Sequence, residues 1–235
     1  MENKKQVLAE SVFFKGLPEP LLHQLAQIAQ EKKFRRGEMI FLEGTACSGF
    51  YIVAQGQVKL YKMALDGREQ ILYVLEAGEA FGIVPVFHGH SFPASASSLT
   101  AVAALFLPKK EFLALLTAHP ELALAVMAAM ARRMRRFAAK IESLSLKDVP
   151  ARLTAHLLYL ARKQGGTSQI TLDIPKKQLA NLLGTSAETL SRIFNDMSAA
   201  GLIRVEGRRI ALLDYAALQG GTIMERGTVT QKRSA

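Results

Sequence analysis

Residues 174–197 read IPKKQLANLLGTSAETLSRIFNDM. Their apolar spacing predicts two short helices, Lys176–Leu183 and Ala187–Ala200, joined at Gly184 because glycine permits a tight turn. Thr185 or Ser186 would cap the second helix by accepting hydrogen bonds from its free amides. Each helix has one apolar face, formed by Leu179, Ala180 and Leu183 in the first and by Leu190, Ile193, Phe194 and Met197 in the second.

The opposite face of the second helix is polar. Glu188, Ser191, Arg192 and Asn195 recur about one helical turn apart. Arginine can donate two hydrogen bonds to guanine, and glutamate can accept one from cytosine. The stretch therefore predicts a helix-turn-helix whose Glu188 and Arg192 contact base edges in the major groove of DNA. An ordinary helical hairpin with a polar outer face is the alternative interpretation.

Basic and hydroxyl side chains around these helices are predicted to contact phosphates, which fix a protein's register on DNA without selecting sequence. After Gly201, the runs Leu202–Val205 and Arg209–Leu213 predict a β-hairpin wing. The predicted phosphate contacts are Lys176, Lys177, Thr185, Ser186, Arg208 and Arg209.

The charge distribution favours the same partner. The 235 residues carry a formal net charge of +10. Residues 1–108 hold ten basic and ten acidic side chains, whereas residues 109–235 hold 20 basic and ten acidic ones. The positive field therefore belongs to the second half of the chain, where it would attract a phosphate backbone.

Several other classes of protein are excluded. No glycine-rich phosphate loop, nucleophile elbow or metal-spaced His/Glu motif is present, so neither an enzyme nor a metal site is predicted. His88 and His90, which flank Gly89, are interpreted as parts of a turn. Cys47 is the only cysteine, which excludes an intramolecular disulfide and a four-cysteine iron–sulfur cluster. Without a targeting segment or a run of about 18 apolar residues, we expect a cytoplasmic protein with no membrane partner.

The first half of the chain changes from helix to strand. Residues 7–29 have helical periodicity, with Leu21, Leu22, Leu25, Ile28 and Ala29 on one face. Short strands are then predicted at 39–42, 50–54, 58–63, 70–75 and 101–107. Asp66-Gly67 predicts a type I′ hairpin turn, because that turn needs positive φ angles. The pattern is typical of a small antiparallel barrel or jelly roll.

A long helix is predicted to follow Pro120. Its apolar residues recur at gaps of three and four, close to the seam of a coiled coil. We expect this seam to pack against a second copy of the chain. Arg132-Arg133-Met134-Arg135-Arg136 is interpreted as a solvated face of the same helix. The predicted dimer interface consists of Leu122, Val126, Met130, Met134, Phe137, Ile141 and Leu144.

Four segments result from this division. Residues 1–118 form an effector-sensing β-barrel domain, and residues 119–146 form the dimerisation helix. Asp148-Val149-Pro150 separates them from a winged helix-turn-helix domain at 147–219, because a residue before proline avoids helical geometry. Residues 149–152 would act as a hinge, and residues 220–235 are expected to form a flexible tail.

These segments resemble the Crp/Fnr family of transcription regulators over nearly the whole chain. The resemblance implies an α+β fold with a cyclic-nucleotide-binding-like jelly-roll barrel, a dimerisation helix and a C-terminal winged helix-turn-helix. Glu188-Thr-Leu-Ser191-Arg192 is similar to the Fnr-type recognition helix, which implies base contacts by Glu188, Ser191 and Arg192 and a palindrome with TTGA half-sites. Ala187 stands where the cyclic-AMP receptor type carries an arginine. The family also implies RNA polymerase as a partner.

The effector is not identified by the resemblance. Cyclic-AMP-binding members have a Phe-Gly-Glu run before an Arg-Ser pair, whereas this chain has Phe81-Gly82-Ile83-Val84 and, at the Arg-Ser position, Pro93-Ala94. Cyclic AMP is therefore disfavoured. A cyclic-nucleotide receptor with an unusual cassette remains an alternative, as does a small-molecule-binding module that docks on an acidic protein.

Three segments look most similar to the Dnr and HcpR branches, namely 141–148, 173–180 and 188–193. Those branches respond to nitric oxide and nitrosative stress through haem. The resemblance thus implies haem as a cofactor, held between the barrel and the dimer helix. The expected effector pocket consists of Phe81, Gly82, Ile83, Phe87 and Met130.

Overall fold

The computed structural model describes residues 1–89 and 91–220. His90 and nearly all of the predicted tail, from residue 221 onward, lie outside these residues. The chain forms two compact units that divide after Ala138. Among the described residues, no single helix has the length and hydropathy to span a membrane, although the bent pair Lys109–Ala118 and Pro120–Leu146 passes that test on length and composition together.

The first unit begins with two helices where the sequence predicted one. Helix α1 is Glu2–Glu10 and helix α2 is Glu19–Ile28. Between them the Ser11 hydroxyl donates to the Leu8 carbonyl and accepts from the Phe14 amide, and Gly16 has a φ of +89°. These contacts turn the chain before Pro18, so the prediction of one continuous helix was wrong. The apolar face was correct, because Leu21, Leu22 and Leu25 are buried.

Eight strands follow and pair in two four-stranded antiparallel sheets. Their orders are β1-β8-β3-β6 and β2-β7-β4-β5. The predicted antiparallel barrel is confirmed. The strands are β1 (Gln30–Phe34), β2 (Met39–Phe41), β3 (Gly49–Gln55), β4 (Val58–Met63), β5 (Glu69–Leu75), β6 (Ala80–Phe81), β7 (Ser95–Ser98) and β8 (Val102–Pro108).

Strand β8 shows how the core divides into two layers. Successive side chains of a strand point to opposite faces of a sheet. Val102 and Ala104 therefore face the barrel interior, whereas Leu105 and Leu107 face a second cluster formed with the helices. That cluster also includes helix α4 (Lys109–Ala118) and the first turns of helix α5 (Pro120–Leu146). Helix α3 (Val84–His88) follows strand β6.

In the first unit, three strands and two helices were not predicted, namely β1, β6, β7, α3 and α4. Strand β1 carries Gln30-Glu-Lys-Lys at an exposed sheet edge and therefore lacks an alternating apolar face. Strand β7 consists of Ser95-Ala-Ser-Ser, which resembles a loop in composition, yet all four residues are buried between β2 and β4. Neighbouring strands, and not local propensity, make these segments extended.

The turn between β4 and β5 also differs from the prediction. The Gly67 amide donates to the Ala64 carbonyl, and Gly67 has a φ of +80°. No other residue between the two strands has a positive φ. A type I′ turn needs two such residues, whereas a three-residue loop needs only a left-handed glycine at its end.

The second unit contains three main helices and a three-stranded antiparallel sheet in the order β10-β11-β9. Asp148 caps helix α6, since its carboxylate accepts from the Ala151 amide at 2.9 Å, and the helix starts at Val149. The elements are α6 (Val149–Lys163), β9 (Gln169–Thr171), α7 (Lys176–Leu183), α8 (Ala187–Ala199), β10 (Ile203–Glu206), β11 (Arg209–Leu212) and α9 (Tyr215–Gly220).

A half-buried histidine on helix α6, His156, lies near three charged side chains. The Nε2 atom of His156 is buried and has no hydrogen-bond partner. Burial lowers the pKa of His156, Asp173 opposes this shift, and Lys140 and Lys163 add to it. His156 is therefore held neutral in the folded unit.

We expect Gly56→Ala to destabilise the barrel more than Gly67→Ala. Both glycines have positive φ angles, +89° and +80°, so either substitution costs roughly 1–2 kcal/mol of backbone strain. A Cβ atom on Gly56 would also lie 2.2 Å from the Ala101 carbonyl oxygen, whereas one on Gly67 would meet nothing within 4 Å. Urea unfolding followed by circular dichroism tests this difference, and equal losses in both variants would contradict it.

We expect His156→Gln to reduce the acid sensitivity of the second unit. A histidine with a lowered pKa takes up its proton less readily when folded than when unfolded, so stability falls as the pH drops below the unfolded value of about 6.5. Urea midpoints at pH 7.5 and 5.5 should differ less in this variant than in the unsubstituted protein. His23→Gln, at an exposed position, is the control. If the urea midpoint of His156→Gln changes between pH 7.5 and pH 5.5 by as much as that of the control, the proposed role of His156 is excluded.

Candidate nucleic-acid interface and effector site

Helices α7 and α8 meet at a glycine turn. Gly184 adopts the left-handed conformation, with a φ of +68°, and its amide donates to the Ala180 carbonyl. The Ser186 hydroxyl accepts a hydrogen bond from the Thr189 amide at 3.1 Å. Of the two residues considered as the cap of α8, Ser186 therefore has this role.

Helix α8 separates its apolar and polar side chains. Leu190, Ile193, Phe194 and Met197 are buried in the core of the second unit. The residues proposed for base contacts lie on the opposite, exposed face together with Asn195; they are Glu188, Ser191 and Arg192. The face that α8 presents to solvent thus carries both donors and acceptors for base edges.

Glu188 is held as a carboxylate. Hydrogen bonds from its own backbone amide and from Ser186 lower the pKa of Glu188. Its position in the first turn of α8 adds the favourable interaction of an anion with a helix N-terminus. At neutral pH the side chain is therefore an acceptor, as a contact with the cytosine amino group requires.

The C-terminal end of α7 is fixed by two cations that the sequence did not reveal. The Nζ atom of Lys140 donates to the Leu182 carbonyl at 2.6 Å, and Nε of Arg152 donates to the Leu183 carbonyl at 2.9 Å. Burial, with a smaller contribution from Arg152, lowers the pKa of Lys140 to about 8. These bonds satisfy carbonyls that a helix end leaves free, and they fix the position of α7.

The two lysines at the start of α7 are exposed. The Nζ atom of Lys176 lies 5.1 Å from the centre of the Phe194 ring, so α8 contributes to its position. Lys177 points away from the core, and Thr185 is half-buried in the turn.

The wing requires one correction. The guanidinium of Arg208 donates twice to the Leu172 carbonyl, at 3.0 and 2.5 Å, so Arg208 ties the wing to its own unit and is not counted as a phosphate contact. Arg209 is exposed, and it shares the outer face of the wing with Arg204, which the sequence analysis missed. The alternation of Ile203 and Val205 with Arg204 is the pattern that could have revealed it.

Helix α5 also departs from the expected seam. Leu122 and Val126 are 0% and 2% exposed, because they pack in the core of their own subunit. We therefore remove both from the predicted dimer interface. The remaining predicted residues, with exposed Met127 added, form the α5 seam, which consists of Met127, Met130, Met134, Phe137, Ile141 and Leu144.

The α5 seam follows the heptad pattern more closely than the predicted set did. Its gaps are three, four, three, four and three residues, as in the a and d positions of a coiled coil. Met127, Met134 and Ile141 are 57%, 72% and 64% exposed, and Met130 is half-buried. Leu144 and Phe137 are also partly exposed, and the Phe137 ring packs edge-on against Tyr73 at 4.8 Å.

The five residues expected in the effector pocket lie in different environments. Phe81 belongs to the barrel interior, whereas Ile83 and Met130 belong to the cluster with the helices. Phe87 is 40% exposed on α3. A Cβ atom on Gly82 would lie 3.0 Å from the Phe92 ring. The expectation that these five side chains line one pocket was wrong.

Aromatic rings fill the interior of the barrel. Phe41 and Phe92 stack with ring centres 3.8 Å apart, and Phe81 and Tyr51 stack at 5.1 Å. A haem needs a wide apolar cavity and an axial ligand. Of the five expected pocket residues, only Met130 could supply an axial ligand, and it packs with the helical cluster, whereas Phe81 belongs to the barrel interior. The expected pocket residues therefore do not fit haem.

The structure shows a small cavity elsewhere in the first unit. It has a volume of about 130 Å³ and lies among the α1–α2 turn, strands β5 and β6 and the middle of α5. Its charged lining residues are Glu79, Arg132, Arg133 and Arg136. The sequence predicted a solvated helix face for these arginines.

Two family models match the chain in the order of its two units. The cyclic nucleotide-binding domain matches residues 31–119, and the Crp-like helix-turn-helix domain matches residues 151–220. The structure of FixK2 from Bradyrhizobium japonicum has the same fold, with a TM-score of 0.72 and 24% identity over 82% of this chain and 96% of that one.

Two relatives match this chain along nearly their whole length. The CRP-like cAMP-activated global transcriptional regulator of Mycobacterium tuberculosis is 30% identical over 217 residues, which are 91% of this chain and 97% of the relative. The cyclic AMP receptor protein of Thermus thermophilus is 32% identical over 211 residues, which are 84% and 96% of the two chains. With its effector-binding barrel and exposed recognition helix, this chain belongs to the Crp/Fnr family of DNA-binding transcription regulators.

Proposed function

We propose that the chain acts as a homodimer that binds a palindromic operator with TTGA half-sites through the α8 helices of both subunits. The exposed face of α8 carries this proposal, because Glu188, Ser191 and Arg192 stand together opposite its buried side. Lys176, Lys177, Thr185, Ser186 and Arg209, with Arg204 added, would contact phosphates. A two-fold dimer would place its recognition helices about 34–36 Å apart, one turn of DNA.

The proposed division of labour follows the chain. Residues 1–118 sense an effector, residues 119–146 dimerise through the α5 seam, and residues 147–219 bind DNA. An effector that binds one arrangement of the dimer more tightly shifts the population toward it, with residues 149–152 as the hinge. RNA polymerase is the protein that such a regulator would contact in the cytoplasm.

The effector is the open part of this proposal. A cyclic nucleotide is the second candidate, because both relatives are named for cyclic AMP. In the described part of the segment from Gly82 to Ala96, however, His88 is the only side chain that can become cationic. Haem-bound nitric oxide, and with it the Dnr or HcpR type of response, is left out because the residues do not fit haem.

We expect Arg192→Ala to lose sequence discrimination. The variant should bind a duplex with two TTGA half-sites about 5- to 150-fold more weakly, since one bidentate base contact is worth about 1–3 kcal/mol. Lys177→Ala is the matched control, and it should weaken binding to operator and scrambled duplex alike and reduce the salt dependence by about one unit of slope. Fluorescence anisotropy at two salt concentrations measures both effects.

Two outcomes would count against the proposal. Equal losses for operator and scrambled duplex in Arg192→Ala would remove the base contact. Weak binding of the unsubstituted protein to every duplex, without a steep salt slope, would favour a protein partner.

We expect Met134→Glu to separate the dimer. A carboxylate at the centre of the α5 seam would be buried without a partner on association, which is strongly unfavourable. Light scattering should report monomers, and affinity for the two-site duplex should fall to that for a single half-site. Ala139→Glu introduces the same charge at an exposed position off the seam and should remain dimeric. Dimers of undiminished affinity in Met134→Glu would place the interface elsewhere.

A further inference from the structure

The cavity beside α5 is rich in hydrogen-bond donors. Arg132 donates to the Val12 carbonyl at 3.0 Å, and Arg133 donates to the Ala80 carbonyl at 2.8 Å. Arg136 pairs with the Glu79 carboxylate at 2.6 Å. These bonds hold three guanidinium groups at one cavity with a single carboxylate, which leaves an excess of positive charge.

Tyr73 supplies a donor that the protein does not use. Its hydroxyl oxygen is buried and has no hydrogen-bond partner. Burial is the main cause that raises the pKa of Tyr73, so the hydroxyl keeps its proton. The guanidinium carbons of Arg133 and Arg136 lie 5.9 and 5.3 Å from the centre of the Tyr73 ring. A buried donor without a partner is rare and costly, and here it lies among cations at a cavity wall.

The burial of Arg133, like that of the Tyr73 hydroxyl, carries a free-energy cost. Removal of this guanidinium from water lowers the pKa of Arg133, and the neighbouring Arg136 adds to the shift, although Glu79 opposes it. The site therefore holds positive charge at a free-energy cost that one carboxylate only partly offsets. An anion among these groups would relieve the repulsion and accept the tyrosine proton.

We propose that this cavity binds a small organic carboxylate, and that this ligand is the effector of the regulator described above. A carboxylate is an acceptor without donors, and its two oxygens match the fork of an arginine. Phe13, Leu75 and Ala129 give the cavity an apolar floor that a short hydrocarbon portion would cover. The inference rests on the proposed function and specifies its effector.

The size of the cavity limits the ligand. About 130 Å³ is well below the roughly 300–1,000 Å³ of sites for drug-sized molecules, so the ligand has few heavy atoms and is smaller than a nucleotide. The anion would be held by side chains of α5 and β5, and not by the segment between β6 and β7 where the family resemblance places a cyclic phosphate.

Helix α5 connects this cavity to the α5 seam. The Tyr73 ring packs against Arg133 and Arg136 and also against Phe137, which lies on the seam. A ligand bonded to the Tyr73 hydroxyl and to these arginines therefore contacts the residues that set the position of Phe137. Occupation of the cavity should change operator affinity through the dimer.

Calorimetry on the full chain tests the site, with butyrate and succinate as carboxylates, butyramide as the neutral counterpart, and inorganic phosphate and cyclic AMP as other anions. Ionic strength is held constant with chloride. We expect saturable binding of a carboxylate and none of butyramide. Tyr73→Phe and Arg133→Gln should each weaken binding roughly 10- to 150-fold, the loss expected for one charge-assisted hydrogen bond. Arg135→Gln, at an exposed position of the same helix, should leave it unchanged.

Other results would overturn the inference. One is the absence of saturable carboxylate binding, and another is carboxylate affinity undiminished in Tyr73→Phe and Arg133→Gln. Tighter binding of phosphate than of either carboxylate would also overturn it, as would tight binding of cyclic AMP that Tyr73→Phe does not weaken. Tyr73→Phe without ligand should unfold at the same temperature as the unsubstituted protein or above it, because it removes an unsatisfied donor; a large loss of stability would show that the hydroxyl is already bonded.

Operator binding distinguishes a failure of the carboxylate-effector assignment from a failure of the proposed DNA-binding function. If carboxylates fail to bind while Arg192 still discriminates between operators, only the effector assignment is lost. If carboxylates bind but no operator is recognised, the DNA-binding proposal fails and the anion site remains.

Discussion

The rotation of helix α5 about its own axis determines which of its residues face the core, the cavity and the exposed seam. Leu122, Val126 and Ala129 are almost completely buried in the first unit, and they fix that rotation through the burial of apolar surface. Each residue of an α-helix turns by about 100°, so the direction of every later side chain follows from these three. Arg133 and Arg136 continue the same stripe, seven residues after Val126 and Ala129. Where the apolar core ends, the stripe therefore meets the cavity and Tyr73.

The same constraint explains why the sequence predicted the helix but misplaced part of its interface. Successive gaps of four residues advance by about 40° each, so the run from Leu122 through Val126 and Met130 to Met134 turns around the helix. One apolar run thus covers two functions, burial in the subunit at its start and an exposed seam at its end. Periodicity cannot divide such a run, because the division depends on the helices and strands that cover one side.

Local chemistry predicted the helix-turn-helix well, whereas tertiary contacts decided the residues that were missed. Gly184, the cap at Ser186 and the buried face of α8 lie within 14 residues of one another, so the sequence contained the whole argument. Arg208 and Leu172 are 36 residues apart, and nothing local indicates that this arginine is bonded within the wing. The buried serines of β7 are strand residues only because β2 and β4 flank them.

Consecutive turns of α5 bring the proposed functions within reach of one another. Arg136 lines the cavity, Phe137 lies on the seam, and Lys140, one turn later, donates to the Leu182 carbonyl of α7. Hydrogen bonds join each turn of an α-helix to the next. A change in how Arg133 and Arg136 are held would therefore act first on Phe137, the neighbouring residue of the α5 seam. The Tyr73 hydroxyl is buried without a hydrogen-bond partner, which is costly in a folded protein, and the proposed anion would supply the missing acceptor.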